Sequence, residues 1–161
     1  MPRIYVVAIT VALVVGASAP ATGQLPGEME NFLAQRYAQL DSIAARSPTF
    51  AAALDSLRGK FLLSPVGVEG TIAVVPLDPS GEFVIVHLNY LLHERLHVTT
   101  AEWERILVHE IYGHALPLLK GEVCRDPKPR QSYRTSCVAK REAVVLRELG
   151  REPPRTYGLV R

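Results

Sequence analysis

The chain has 161 residues and a formal net charge of +2, from 18 Lys and Arg residues against 16 Asp and Glu residues. That length suits one domain with a hydrophobic core and is too short for two ordinary domains. The basic residues are dispersed and form no block interleaved with aromatic side chains, so the sequence does not predict a nucleic-acid partner.

The N-terminal segment, residues 1–23, predicts a secretory signal peptide. Arg3 supplies a positive charge before a short apolar run, Ile4 to Val15, and small residues at 21–23 precede the favoured cleavage point. The alternative, an uncleaved membrane anchor, needs a longer run of about 20 apolar residues. We therefore expect an exported protein, periplasmic or extracellular, whose mature form is a single domain, residues 24–161, that does not span a membrane.

Two cysteines, Cys124 and Cys137, enclose a polar loop that contains two prolines. Export would place both thiols in an oxidising compartment. A disulfide that closes this loop would contribute roughly 3 kcal/mol in the chain-entropy model. The alternative, a pair of zinc ligands, matches no ribbon or finger spacing. We expect a disulfide between these two residues.

Two helices open the mature chain. Apolar residues recur at roughly helical spacing from Glu28 to Arg46. Ser47 then has the position of an N-cap and Pro48 that of the first helical residue, so a second helix is expected from Thr49 to Arg58. The glycine that follows predicts the end of that helix.

A β section and two further helices follow. Val- and Ile-rich segments at Gly70 to Pro76 and Glu82 to Leu88 flank turn residues and predict a hairpin, whose second strand is expected at a sheet edge where an extended peptide can add. Thr99 and Glu102 form a capping box at the start of the next helix. The last helix runs from about Val138 to Leu149. The fold class is therefore α+β, with a short antiparallel sheet before a motif helix and a glutamate-bearing helix.

The most informative motif is HEIYGH at residues 109–114, in a stretch that otherwise carries no charge. Burial of two imidazoles and a carboxylate is costly unless something binds them, and His with Glu is a ligand set of zinc. On a regular helix, residues five apart differ by about 140°. His109 and His114 can therefore share a metal only if the helix widens by one residue, as in a π-turn. Gly113, without a Cβ, and Pro117, without an N–H, favour that widening.

Glu142 is the predicted third ligand. It is the charged residue inside an apolar stripe of the last helix, and a carboxylate that faces a core needs a cation. His109, His114 and Glu142 would hold one zinc ion per chain and leave a fourth position open to water. Glu110, which follows the first ligand directly, is predicted to act as general base. Glu148 or a residue of the C-terminal tail is the alternative third ligand.

A second run, His93-Glu94-Arg95-Leu96-His97, matches the common metallopeptidase motif His-Glu-x-x-His literally. It lies between a predicted strand and the capping box, where little sequence is left for a long helix. It also places an arginine next to a cationic metal. We interpret it as a solvated connector. A secondary role near the site and a true metal pair are the alternatives.

The motif and the downstream glutamate resemble those of gluzincin-type zinc metallopeptidases, in which the third ligand is a glutamate on a later helix. The form His-Glu-x-x-Gly-His is similar to the lengthened motif of the dipeptidyl-peptidase III family, over those six residues only. Enzymes of that family are much larger, and the Glu-Glu-Cys-Arg-Ala-Glu sequence that they carry is absent here.

The broader resemblance, across residues 47–158, is to small bacterial effector-type zinc metallopeptidase domains. Those domains follow the motif with a Glu-Ala-Val helix that ends in Leu-Gly, found here at residues 142–144 and 149–150. A Pro-x-Arg-x-x-Tyr-like tail often comes next. The tail here has an extra proline and a shifted tyrosine, and Tyr157 or Arg155 is a candidate oxyanion stabiliser. The alternative is a tail that packs on the last helix.

This resemblance implies zinc ligands at His109, His114 and Glu142, a general base at Glu110, and a peptide or protein substrate. Two other classes of function stay open. One is an inactive zinc-binding or partner-binding module, and the other is a zinc hydrolase that acts on a non-peptide amide. Glu110 discriminates between the peptidase and the inactive module, because a module without activity has no need of a base.

Overall fold

The computed structural model describes residues 25–66, 73–74, 81–122 and 136–153. The predicted signal peptide, Cys124, Arg155 and Tyr157 lie outside these ranges, so export, the disulfide and the oxyanion role stay predictions. Within these ranges no helix is long and apolar enough to cross a membrane.

Helices predominate over strands in the described residues. The elements are α1 (Leu25–Arg46), α2 (Pro48–Leu57), β1 (Phe61–Val66), β2 (Ala73–Val74), β3 (Val84–Asn89), α3 (Tyr90–Leu96), α4 (Thr100–Val108), a π-helical segment (His109–Ala115), α5 (Leu116–Leu119) and α6 (Cys137–Glu148). The mixture of helix and strand confirms the α+β class.

The helix ends follow the local sequence as predicted. The Ser47 hydroxyl accepts a hydrogen bond from the backbone N–H of Phe50, and Pro48 is the first residue of α2. Both hydrogen bonds of the capping box between Thr99 and Glu102 are present at the start of α4. These contacts satisfy N–H groups that have no partner inside the helix.

The sheet contains the predicted antiparallel pairing of residues 70–76 with residues 82–88, but its main pairing is parallel. Its strand order is β1–β3–β2, and β1 pairs with β3 in parallel from Phe61 opposite Val84 to Val66 opposite Asn89. Among the described residues, antiparallel pairing involves Ala73 and Val74 of β2, opposite Leu88 and His87 of β3. The prediction of an antiparallel sheet is therefore wrong for the main pairing. The prediction of a sheet edge at Glu82 to Leu88 is also wrong, because β3 is the middle strand.

Strand β1 was not predicted, and its composition explains the omission. The segment Phe61–Val66 contains Ser64 and Pro65, which interrupt the apolar pattern of a strand. Proline donates no hydrogen bond to a ladder and is tolerated mainly in edge strands. Strand β1 lies at the edge of this sheet, so Pro65 is compatible with its position.

The core places the π-helical segment among several elements. Val84, Val86 and Leu88 of β3 are fully buried. The π-helical segment packs against β3, α2 and α6, and it continues α4 and α5 without a break in the helix. Side chains carried by this segment are therefore held from several directions.

Candidate metal centre

The predicted widening of the motif helix is present. Residues His109–Ala115 form a π-helical segment between α4 and α5. The N–H of Leu116 donates to the carbonyl of Ile111, five residues earlier, which is the hydrogen bond of a π-turn. The sequence interpretation of the lengthened motif is confirmed at the level of the backbone.

This backbone brings His109 and His114 together. Their Nε2 atoms lie 3.2 Å apart, and the ring planes are inclined at 78°. Two nitrogens that bind one tetrahedral zinc ion at about 2.0–2.1 Å would lie about 3.3–3.4 Å from each other. The spacing of the two Nε2 atoms therefore fits two ligands of one zinc ion.

Glu142 joins the site at the other nitrogen of His109. Its Oε2 atom lies 2.7 Å from Nδ1 of His109, and the glutamate side chain is fully buried. Its Oε1 atom is buried without a hydrogen-bond partner among the described residues. The structure thus brings Glu142 to the histidine pair through the imidazole, and its role as zinc ligand stays a prediction.

Helix α6 presents Glu142 inside the stripe that the sequence indicates. The apolar neighbours of this glutamate on α6 are buried: Val138, Ala139, Val145 and Leu146. The stripe lies against the π-helical segment. The expected burial of Glu142 is therefore confirmed.

Burial favours the neutral forms of two side chains of the motif, Glu110 and His114. Burial raises the pKa of Glu110 to about 7, an effect that His109 opposes and Glu142 reinforces. Burial also lowers the pKa of His114 to about 4, with smaller contributions from His109 and Arg141. Each charged form is thus penalised by desolvation.

The predicted ligands do not form a complete metal-binding set in the part of the chain that the structure describes. No group of three or more His, Cys, Asp or Glu side chains there is arranged to hold a metal ion. His109 and His114 converge through Nε2, whereas Glu142 approaches Nδ1. The histidine pair, two of the three predicted ligands, is the part of the predicted zinc site whose geometry fits.

The alternative third ligand, Glu148, binds elsewhere. Its carboxylate accepts hydrogen bonds from the hydroxyls of Ser47 and Thr49, each at 2.5 Å, and from the backbone N–H of Thr49 at 3.2 Å. These contacts lower the pKa of Glu148 below its ordinary value, that with Ser47 most. Glu148 therefore joins α6 to the start of α2.

The literal His-Glu-x-x-His run, residues 93–97, begins on the seven-residue helix α3 and ends one residue beyond it. The indole N–H of Trp103 donates to Nδ1 of His93 at 2.9 Å. His97 lies beyond the end of α3, is exposed, and has a φ of 48° in the left-handed region. Glu94 is also exposed. His93 thus contributes to the contact between α3 and α4, while the other two residues face solvent.

Two buried charged residues were missed at the level of sequence. The Arg36 guanidinium lies 5.0 Å from the ring centre of Phe32 and 4.8 Å from that of Trp103, and burial lowers its pKa to about 10. Glu104 is buried and pairs with Arg46 at 2.6 Å and with Arg151. The helical spacing of Arg36 between Phe32 and Leu40, both buried, was the signal that could have indicated its burial.

Arg141 is a further charged residue beside the histidine pair. Its Nη2 atom donates to Glu122 at 2.9 Å, and its Nη1 atom is buried without a hydrogen-bond partner among the described residues. It precedes Glu142 on α6 and contributes to the lowered pKa of His114. Arg141 therefore lies close enough to His114 to oppose protonation of that imidazole.

No protein-family model matches the chain, and comparisons with curated proteins and with solved structures find no match either. The interpretation of the site therefore depends on its own residues and on the motif.

Proposed function

We propose that the protein is an exported, zinc-dependent metallopeptidase with a zincin-like fold, which hydrolyses peptide bonds of a peptide or protein substrate. One observation carries the proposal. A π-helical segment brings the Nε2 atoms of His109 and His114 to 3.2 Å, and it encloses a buried glutamate, Glu110. This combination matches the ligand pair and base of a zinc metallopeptidase motif lengthened by one residue.

In this proposal His109 and His114 hold one zinc ion per chain through Nε2. Glu142 is the predicted third ligand, and its contact with Nδ1 of His109 supports its membership of the same site. Zinc in such a site supplies a Lewis acid and generates a nucleophile from water at neutral pH. The apolar surroundings of the segment strengthen electrostatic interactions within it.

Glu110 serves as general base and then as general acid. Its carboxylate accepts a proton from the attacking water and returns it to the leaving nitrogen of the cleaved bond. Two features support this role. Glu110 directly follows the first histidine in the sequence, and its side chain is buried rather than exposed to solvent.

Two alternatives make different demands on Glu110. An inactive zinc-binding or partner-binding module would keep the histidines without needing a base. A zinc hydrolase that acts on a non-peptide amide would need the same base and differ only in its substrate. The buried position of Glu110 favours an active hydrolase of either kind, and the motif favours the peptidase.

Metal analysis of variants tests the proposal. The purified mature protein should contain about one zinc ion per chain. His109→Ala should lose zinc and hydrolysis of a quenched fluorescent peptide mixture, whereas Glu110→Gln should keep zinc and lose hydrolysis. Glu94→Gln, which changes an exposed glutamate of the other motif, is the matched control and should keep both.

Three results would contradict the proposed peptidase. Wild-type protein without bound zinc would remove the enzyme hypothesis. Full hydrolysis by Glu110→Gln would remove the assigned base and with it the mechanism. Retained zinc with no hydrolysis of peptides by the wild type would instead support the module or the non-peptide amidase.

A further inference from the structure

We propose that Glu142 is a positioning residue, which fixes the imidazole of His109 by accepting a hydrogen bond from Nδ1–H and does not itself occupy a coordination position. The inference keeps the two histidine ligands and the base of the proposed function, replaces Glu142 as the third ligand, and rests on that function for its consequence in metal binding. It starts from the 2.7 Å contact between Oε2 of Glu142 and Nδ1 of His109.

The two nitrogens of an imidazole point in divergent directions. An oxygen at hydrogen-bond distance from Nδ1 is therefore remote from an ion held at Nε2. His109 directs Nε2 toward Nε2 of His114, at 3.2 Å, and directs Nδ1 toward Glu142. The ring thus stands between the carboxylate and the position that the two histidines can share.

Burial makes this contact matter to the carboxylate. Glu142 is fully buried, and its Oε1 atom has no hydrogen-bond partner among the described residues. A buried carboxylate is unfavourable without a donor. The contact of Oε2 with His109 is accordingly the hydrogen bond that offsets its desolvation in the described structure.

Packing of α6 holds the glutamate in place. Val138, Val145 and Leu146, on the same face, are buried almost completely. These buried neighbours enclose the Glu142 side chain, which is itself fully buried. A carboxylate that accepts from the distal N–H of a metal-bound histidine fixes its tautomer and orientation, and loss of such a partner typically weakens metal binding about 10- to 100-fold.

The tautomer of His109 tests the inference without any metal. Long-range ¹H–¹⁵N spectra of the metal-free, folded mature protein, recorded at alkaline pH where imidazoles are neutral, show which nitrogen carries the proton. Wild type should carry it on Nδ1. Glu142→Gln should preserve that state, because its amide oxygen accepts the same bond, and Glu142→Leu should lose it. Glu148→Gln, on the same helix, is the control and should match wild type.

Two outcomes of these spectra would overturn the inference: a proton on Nε2 of His109 in wild type, or an unchanged tautomer in Glu142→Leu. The wild-type tautomer decides the question alone if Glu142→Leu does not fold. The result does not depend on whether the protein binds zinc.

A cobalt titration tests the consequence for the metal. Co²⁺ reports its ligands through its visible absorption. Glu142→Leu should bind Co²⁺ about 10- to 100-fold more weakly than wild type. Glu142→Gln should lose less affinity, because its amide oxygen still accepts the bond, and it should keep the wild-type spectrum. A changed spectrum in this variant would show that a ligand was lost and would overturn the inference. Failure of wild type to bind Co²⁺ or Zn²⁺, with the Nδ1 tautomer intact, would refute the proposed function and leave the positioning contact established.

Discussion

Gly113 and Val138 lie so close that a Cβ atom on Gly113 would stand 2.7 Å from Cγ1 of Val138. This contact joins the π-helical segment to α6, and thus the histidine pair to the helix that carries Glu142. The sequence suggested that this glycine eases the widening of the helix. The structure adds a reason in packing, because no side chain fits between the two elements at this point.

Gly113→Ala should lower the free energy of unfolding by about 1–3 kcal/mol, since Val138 is buried and stiff at χ1 and cannot move aside easily. Urea unfolding measures the effect. In a Val138→Ala background, Gly113→Ala should lower the free energy of unfolding by less than it does in wild type, as expected of residues in direct contact. Gly27→Ala is the control, because nothing lies within 4 Å of its Cβ position. If Gly113→Ala lowered the free energy of unfolding equally in wild type and in the Val138→Ala background, this account would be contradicted.

Glu104→Ala should destabilise the fold by about 1–3 kcal/mol, because it leaves two arginines without the buried carboxylate that joins them. The figure stays below that of a fully buried pair, since both arginines are about one third or more exposed and solvent screens them. Asp55→Ala breaks the exposed Asp55–Arg58 pair and should change stability by less than about 0.5 kcal/mol. Similar losses in both variants would contradict the distinction.

The widening at residues 109–115 could be predicted because it follows from the arithmetic of the helix. Two histidines five residues apart share a ligand only where the turn gains a residue. The burial of Glu142 was equally predictable, since its helical spacing places it among apolar neighbours. Both inferences need only local sequence.

The local sequence could not predict that Glu142 contacts Nδ1 of His109 rather than its Nε2. That contact depends on the distance between α6 and the π-helical segment, which the contact of Gly113 with Val138 sets. The parallel pairing of Phe61–Val66 with β3 was missed for a related reason. Strand partners are chosen by packing between segments remote in sequence, whereas turn residues report only a local hairpin.

Glu148 should stabilise the fold most at neutral pH. Hydrogen bonds from Ser47 and Thr49 depress its folded-state pKa below 4.5, so its contribution is present above that value and is lost as the pH falls through the folded-state pKa. Glu148→Gln should therefore be less stable than wild type at neutral pH, and the two should converge in acid. Thermal unfolding across this range measures the difference. A constant difference at all pH values would contradict the assignment.

Replacement of both histidines of the literal motif should leave zinc content unchanged. The double variant His93→Ala with His97→Ala keeps His109 and His114, whose Nε2 atoms lie 3.2 Å apart. Metal analysis of the double variant should therefore give the same stoichiometry as wild type, with lower stability because the Trp103 hydrogen bond is lost. Loss of the metal in a folded double variant would move the site to residues 93–97.

His93 should make stability fall as the pH decreases below neutrality. Burial lowers the folded-state pKa of His93 below 6.5. Arg36 and His97 make smaller contributions in the same direction, and Glu94 opposes them. The unfolded chain therefore binds a proton first, so the stabilisation is complete above 6.5 and is lost as the pH falls through the folded-state pKa. Protonation also places a hydrogen on Nδ1, where it opposes the donor of Trp103.

His93→Asn keeps an acceptor near the position of Nδ1 but does not titrate in this range. Its stability should consequently change less than that of wild type between about pH 7 and pH 5. Fluorescence of Trp103, the single tryptophan of the chain, follows urea unfolding at each pH. His97→Asn, at an exposed histidine that makes the smallest contribution to the His93 shift, should keep most of the wild-type dependence. If His93→Asn kept it as well, the pH dependence would come from another group.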